Sequence, residues 1–275
     1  LLRPVDRITM PFNKKAEKIL MKTPIDIIHN HGSFLALFGM KIAKKKHIPQ
    51  FSTFHTPFYE YLRWIFPWTR PLAPSLTHWV CQLFHNEFDL LLAPSQKAAD
   101  ILEETNVKTP ITILHNGIEL ESFEEIASDL FRKAFNIKAN DHLIVLIGRV
   151  DVGKNVDIAV EAMRKIIKTM PTAKLAIIGD GDRRKDTEKL IKKYHLEKNI
   201  FVTGFLNSEM VKSANQASEL AIMMSDSDIF PTVAIEAISC GKAMVAVNDS
   251  AITEIIKHGV NGILTPKDPT KVANA

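Results

Sequence analysis

Short apolar runs alternate with stretches of helical period along almost the whole chain. Runs over 26–29, 50–54, 90–93 and 111–114 read as strands, with helices expected over about 33–46 and from the Pro94-Ser95 cap to about 104. Residues 58–86 are aromatic and helical in period, broken by Pro67, Pro71 and Pro74. A linker is expected at about 117–140, and a second series follows it. Its strands are expected over 142–147, 174–178, 200–203, 220–224, 243–247 and 262–264, and its helices over 156–169, 185–194, 232–239 and 252–258. Such strand–helix alternation requires parallel sheets covered on both faces. The fold class is therefore α/β, with two doubly wound Rossmann-like domains, 1–120 and 121–275, and ligands at the carboxyl ends of the strands.

Composition narrows the classes. The chain has 275 residues, 46% hydrophobic and 24% charged, which is ordinary globular composition and enough for two domains. Two cysteines, Cys81 and Cys240, exclude a disulfide framework, and no Cys/His cluster has zinc spacing. A reducing cytoplasm is the expected compartment. No apolar run is long enough to span a membrane as a helix. Charge is uneven: residues 1–117 carry 14 Lys/Arg against 9 Asp/Glu, and the remainder 21 against 22. The first part also holds 14 of the 21 aromatic residues. It is expected to meet an anionic surface, with too small an excess to favour nucleic acid. Lys41, Lys44, Lys45 and Lys46 end a helix, and two readings stand side by side. One is a cationic helix C-terminus favourable to the dipole. The other is docking on an anionic membrane, helped by Trp64, Phe66 and Trp68.

Two motifs carry candidate chemistry. Gly148-Arg149-Val150-Asp151-Val152-Gly153-Lys154-Asn155 follows a strand and opens a helix. Glycine lets a ligand approach the backbone, and Arg149 and Lys154 place cations beside a helix N-terminus, where a diphosphate fits. Ser225-Asp226-Ser227-Asp228-Ile229-Phe230-Pro231-Thr232-Val233-Ala234-Ile235-Glu236 also joins a strand to a helix. Asp228 and Glu236 offer carboxylates to a hydroxyl-rich ligand. The plainer alternatives are a solvated basic turn, an Asp228 helix cap and a Glu236–Lys pair.

Together these motifs resemble glycosyltransferase family 4, a retaining family of GT-B fold. The matching features are its G-R-x-x-x-x-K-N loop and its E-x7-E motif, which leads here into Glu236-Ala237-Ile238-Ser239-Cys240-Gly241-Lys242-Ala243-Met244-Val245-Ala246. Asn116-Gly117-Ile118 with Phe123, Ile177-Ile178-Gly179-Asp180-Gly181, Val202-Thr203-Gly204-Phe205, and Thr253-Glu254-Ile255-Ile256 before Asn261-Gly262 resemble further family motifs. The resemblance implies that Arg149 and Lys154 hold the donor diphosphate, Glu236 the ribose and Asp228 the donor sugar. It also implies donor contacts from Gly148, Gly179, Phe205 and the stretch Phe230, Pro231, Thr232 and Val233. The family usually has Glu where this chain has Asp228, and an acid where it has Gly153, which leaves the sugar open.

Thr53-Phe54-His55-Thr56-Pro57-Phe58-Tyr59-Glu60-Tyr61 and Ala93-Pro94-Ser95 resemble, more narrowly, bacterial diacylglycerol glucosyltransferases. His55 is then expected at an interdomain cleft as a catalytic contact to donor sugar or acceptor, and His29 and His31 as loop supports. The implied reaction moves a hexose from a nucleotide diphosphate sugar, UDP-glucose or similar, to a lipid or glycan acceptor, with peripheral contact on an anionic membrane and no nucleic acid partner. Two D-x-D matches, Asp226/Asp228 and Asp180/Asp182, are too short to call for a metal, and no cofactor is required. No G-x-G-x-x-G follows the first visible strand, so redox use of NAD is not expected. Alternatives are another hexosyltransferase, such as a mannosyltransferase, or a sugar-nucleotide-binding protein without turnover. The family's first strand and glycine-rich loop, and its closing helices, are missing here, so a fragment with weak turnover is expected.

Overall fold

A computed structural model describes residues 13–31, 33–55, 74–120 and 129–275. The expectations for 58–73, including Trp64, Phe66 and Trp68, lie outside the described residues, as do those for Phe123 and the Thr56-to-Tyr61 loop. The chain divides into two units, Leu1–His115 and Asn116–Ala275.

The first unit opens with α1 (Lys14–Lys22), capped by Asn13, whose side chain accepts from Lys15 N and Ala16 N. Then come β1 (Ile28–His31), α2 (Ser33–Lys46), β2 (Gln50–Thr53), α3 (Pro74–His85), β3 (Leu90–Ala93), α4 (Gln96–Glu104) and β4 (Ile111–Ile113). The four strands form one parallel sheet in the order β1-β2-β3-β4. Ser95 caps α4 as expected, accepting from Ala98 N at 3.1 Å. The first strand begins two residues later than its apolar run, because Ile28 N bonds to Pro49 O and pairing with β2 starts there. The lysines Lys44, Lys45 and Lys46 stand in the last turn of α2. Lys41 and Lys45 both pair with Glu17 of α1 at 2.6 Å, and Lys46 donates to Thr23 O.

The second unit holds α5 (Asp129–Ala134), β5 (His142–Ile147), α6 (Val156–Ile166), β6 (Ala173–Ile178), α7 (Arg184–Lys193), β7 (Ile200–Gly204), α8 (Ser208–Ala217), β8 (Leu220–Met223), α9 (Thr232–Ser239), β9 (Ala243–Val247), α10 (Ser250–Thr253), β10 (Gly262–Thr265) and α11 (Pro269–Asn274). Its six strands are parallel in the order β10-β9-β8-β5-β6-β7. Successive strand residues point to opposite faces, and here both faces are apolar. Leu146, Leu175, Ile177, Ile222 and Val245 join the core under α6, α7 and α11. Leu143, Val145, Ala176, Met223 and Met244 join the core under α5, α8, α9 and α10. The chain winds from β5 outward to β7, then returns to place β8 on the other side of β5. That reversal is the switch point where open α/β sheets bind ligands.

The structure corrects three expectations. The linker at 117–140 contains α5, whose Phe131 is fully buried and donates its N–H to Ser213 Oγ at 3.0 Å. A helix, α8, lies between β7 and β8. The helix expected over 252–258 is only α10, because Ile256 and the following residues leave it for a turn closed by Asn261.

Candidate donor site

β5 and β8 are neighbours, so the loops that leave their carboxyl ends lie side by side. Between them is a cavity of about 140 Å³. Gly148, Arg149 and Lys154 line it from the β5 loop, and Asp228 with Phe230, Pro231, Thr232 and Val233 from the β8 loop. Eight residues expected at the site are thus brought together. Gly179, Phe205 and Glu236 do not line this cavity, and His55 belongs to the first unit.

The β5 loop is shaped by close backbone approach. Gly148 has φ +149° and Gly179, after β6, has φ +142°. A Cβ on Gly179 would stand 1.9 Å from Gly148 O, so only glycine allows these loops to meet. Gly148 N donates to Ile178 O, and Gly179 N to Gly204 O, which ties three strand ends together. The geometry thus gives Gly179 a structural reason to be glycine. A Cβ at Gly153 would stand 2.4 Å from Ser227 Oγ, so the β8 loop packs where the family's acid is usually found.

Arg149, Lys154 and Asp228 each have a charged partner. Arg149, with its side chain 60% exposed, reaches Asp151 through Nε and Nη2 at 2.6 and 2.5 Å. Lys154 sits in a 3₁₀ turn, Val152–Lys154, and donates from Nζ to Asp228 Oδ1. Both of those side chains are largely covered, and Asp228 Oδ2 is buried with no hydrogen-bond partner. Asp228 therefore does not cap α9. The N-cap is Pro231, which has no side-chain acceptor, so no N-cap side chain caps the first turn of α9 beside the cavity. Glu236 lies one turn further in, half-buried. It has no ion pair or hydrogen bond to its carboxylate among the described residues, and burial raises its pKa against the pull of Lys212.

Asn155 was missed as a site residue, although it stands in the quoted motif. It adopts the left-handed conformation, φ 47° and ψ 42°, which Asn tolerates better than most residues. Its Nδ2 donates to Met224 O at 3.0 Å and to Asp226 Oδ1 at 3.1 Å, pinning one loop to the other. Lys267 pairs with Asp226 from the far side. Burial alone would raise the Asp226 carboxyl, but Lys267 and Asn155 outweigh it and hold the group below its ordinary value. Among the described residues no cluster of three or more His, Cys, Asp or Glu could hold a metal ion.

In the first unit, three histidines gather at the carboxyl ends of β1 and β2. His29 Nε2 lies 2.7 Å from Thr53 Oγ1, and His31 Nδ1 lies 2.8 Å from His55 Nε2. The His31 and His55 rings stack at 5.2 Å. Burial lowers the pKa of His55, and the neighbouring His31 and His29 add to it. His29 and His31 do hold the strand ends together.

The chain is 25% identical over 256 residues to an alpha-monoglucosyldiacylglycerol synthase of Streptococcus pneumoniae, covering 91% of this chain and 58% of that protein. It is 23% identical to a synthase of the same name from Acholeplasma laidlawii, covering 94% and 67%. The chain thus spans less than two thirds of the first of these relatives. The Anabaena protein HepE, solved with UDP and glucose, superimposes with a TM-score of 0.80 at 21% identity, over 94% of this chain and 69% of that one. The two α/β units have the GT-B fold that the motifs implied. Residues 1–122 match Glycosyltransferase Family 4. Residues 127–275, more than half of the chain, match Glycosyl transferases group 1, and the protein belongs to that family.

Proposed function

We propose that this protein transfers a hexose from a nucleotide diphosphate sugar, UDP-glucose, to a lipid hydroxyl such as that of diacylglycerol, with retention at the anomeric carbon. The observation that carries this reading is the Lys154–Asp228 pair at the cavity between the β5 and β8 loops, beside the N-terminus of α9. About 140 Å³ is smaller than the roughly 300–1,000 Å³ of whole-ligand pockets. It suits the diphosphate and the start of the sugar. Lys154, Arg149 and the Thr232 and Val233 N–H groups at the start of α9 stabilise the departing diphosphate, which supplies most of the rate by electrostatic stabilisation. The unpaired Oδ2 of Asp228 accepts a sugar hydroxyl, and Glu236 takes the ribose hydroxyls. Gly179 and Phe205, the latter 64% exposed at the end of β7, face the nucleoside. His55 orients the donor sugar or the acceptor hydroxyl.

The lipid acceptor is supported by the names of the two synthases, and the donor by the UDP and glucose held by the Anabaena protein. A lipid acceptor brings the protein to a bilayer surface, and no helix among the described residues is long and apolar enough to cross one. A second reading keeps the site and changes the sugar. Asp228 is one methylene shorter than the family's usual Glu, and its Oδ1 is drawn onto Lys154. Transfer of radiolabel from UDP-glucose, UDP-galactose and GDP-mannose to diacylglycerol decides between them. Label from UDP-glucose alone is expected. Label from GDP-mannose alone replaces the donor assignment, and donor binding without transfer to any acceptor overturns the catalytic reading.

A further inference from the structure

The β5 loop carries Arg149, Asp151 and Lys154, and the β8 loop carries Asp226 and Asp228. Two cations thus meet three carboxylates. Arg149 is taken by Asp151 within its own loop, and Lys154 by Asp228 across the two. The third carboxylate is matched from a different element. Lys267, in the loop that follows β10, donates to Asp226 Oδ2 while Asn155 holds Oδ1. Strand β9 lies between β8 and β10, so this lysine reaches past the end of a whole strand, roughly 10 Å in sheet spacing.

The turn that presents Lys267 is fixed on both sides. Pro266 and Pro269 flank it. Asp268 N donates to Pro266 O, and the Asp268 carboxylate caps α11 by accepting from Thr270 N and Lys271 N at 2.8 Å. The adjacent acid is therefore committed to the helix and leaves Lys267 to Asp226. Both side chains of the pair are more than a third exposed, and exposed pairs add little to stability. Folding does not account for the reach. Its position does, because Asp226 stands between Ser225 and Asp228, both of which line the cavity.

We propose that Lys267 is a positioning residue of the donor site. It neutralises Asp226, brings the two loops to zero net charge, and so keeps Arg149 and Lys154 for an incoming diphosphate. An uncompensated Asp226 stands 3.1 Å from Asn155, the residue next to Lys154, and repels the same ligand. The inference rests on the proposed function in taking that ligand to be a nucleoside diphosphate.

The test is UDP binding by the full chain, measured by titration calorimetry, with uridine measured by its displacement of UDP. A unit charge acting on a diphosphate over a distance on the order of 10 Å changes affinity by about tenfold at low salt. Lys267→Met should therefore raise the Kd for UDP about tenfold. Uridine carries no charge, and its Kd should stay within about twofold of the parent's. The loss for UDP should shrink as salt is added. Lys267→Arg should bind UDP like the parent. The decisive variant joins Lys267→Met to Asp226→Asn, which removes both charges and keeps an acceptor for Asn155 Nδ2. It should return the Kd for UDP to within about twofold of the parent's. Lys198→Met, just before the amino end of β7, changes the net charge equally and should bind UDP like the parent. Equal loss of UDP and uridine in Lys267→Met, or no recovery in the double variant, makes Lys267 a mere loop support and overturns the proposal. So does an unchanged Kd for UDP in Lys267→Met. Absence of UDP binding by the parent overturns the donor reading and this inference with it, so the two failures are told apart.

Discussion

At the scale of single residues, the Lys154–Asp228 pair holds two opposite charges on side chains that are largely covered. Under the proposed function, an incoming diphosphate offers Lys154 a stronger anion and releases Asp228 to the sugar. Lys154→Ala is expected to cut transfer from UDP-glucose by about 100-fold or more while keeping the fold, as checked by turnover beside thermal unfolding. Near-normal turnover refutes the clamp. Glu236 makes a different point. Burial raises its pKa, so the ionised form costs the folded state free energy above its folded pKa, and that cost vanishes as pH falls below the ordinary value of 4.5. Glu236→Gln should therefore raise Tm at neutral pH, with the gain closing under acid conditions, while UDP binding weakens through loss of the ribose acceptor. A lower Tm at neutral pH would show that the carboxylate is stabilising. These residues were legible because each stands at a fixed offset in a strand–loop–helix motif. The mutual pairing was not, since Lys154 and Asp228 are 74 positions apart and only the neighbouring of β5 and β8 brings them together.

At the scale of elements, the strands were legible and three helices were not. The strands of the second unit are mostly apolar runs, because both faces of its sheet are covered, whereas β1 and β2 carry polar residues. Helix α5 was hidden in a polar stretch where a single side chain, Phe131, makes the packing. Helix α8 buries Ser213, Ala214, Asn215 and Ala217, small or polar residues, with Met210 and Val211 partly buried beside them. Helix α1 buries no side chain, and the sequence assigned no element to residues 14–22. A short apolar stripe made largely of small residues, or one that reaches no core, is a weak periodicity signal. The loops are organised by Asn155, whose left-handed backbone and two side-chain bonds lock the β8 loop against the β5 loop. Asn155→Gly keeps the backbone conformation at little cost and removes only the pins. It should raise the Kd for UDP about tenfold, worth about 1.4 kcal/mol, with a much smaller effect on Tm. Titration calorimetry beside thermal melts checks this, and an unchanged Kd would mean that the loops hold each other without Asn155.

At the scale of the whole molecule, the two units have separate sheets, and the second has apolar cores on both faces of its sheet. All three tryptophans, Trp64, Trp68 and Trp79, lie in the first unit, whereas the candidate donor site lies in the second. A ligand stabilises what it binds by mass action, about 2.7 kcal/mol at a hundredfold excess over Kd. Saturating UDP should therefore raise the circular-dichroism melt of the second unit and leave the tryptophan-fluorescence melt nearly in place. A shift of both by the same amount would mean that the units unfold as one.

What the sequence determined by itself is the α/β class, the two series of strands and eight of the residues that line the cavity between the β5 and β8 loops. Local propensity, full-length apolar strands and motif spacing are carried by neighbouring positions, and they survive reading along the chain. Only the tertiary structure decided which of those residues meet. The order β10-β9-β8-β5-β6-β7 makes neighbours of loops far apart in sequence, gives Gly179 its contact with Gly148, and pairs Lys154 with Asp228. It also decided which lysines are spent on pairing, because Glu17 turns inward onto Lys41 and Lys45.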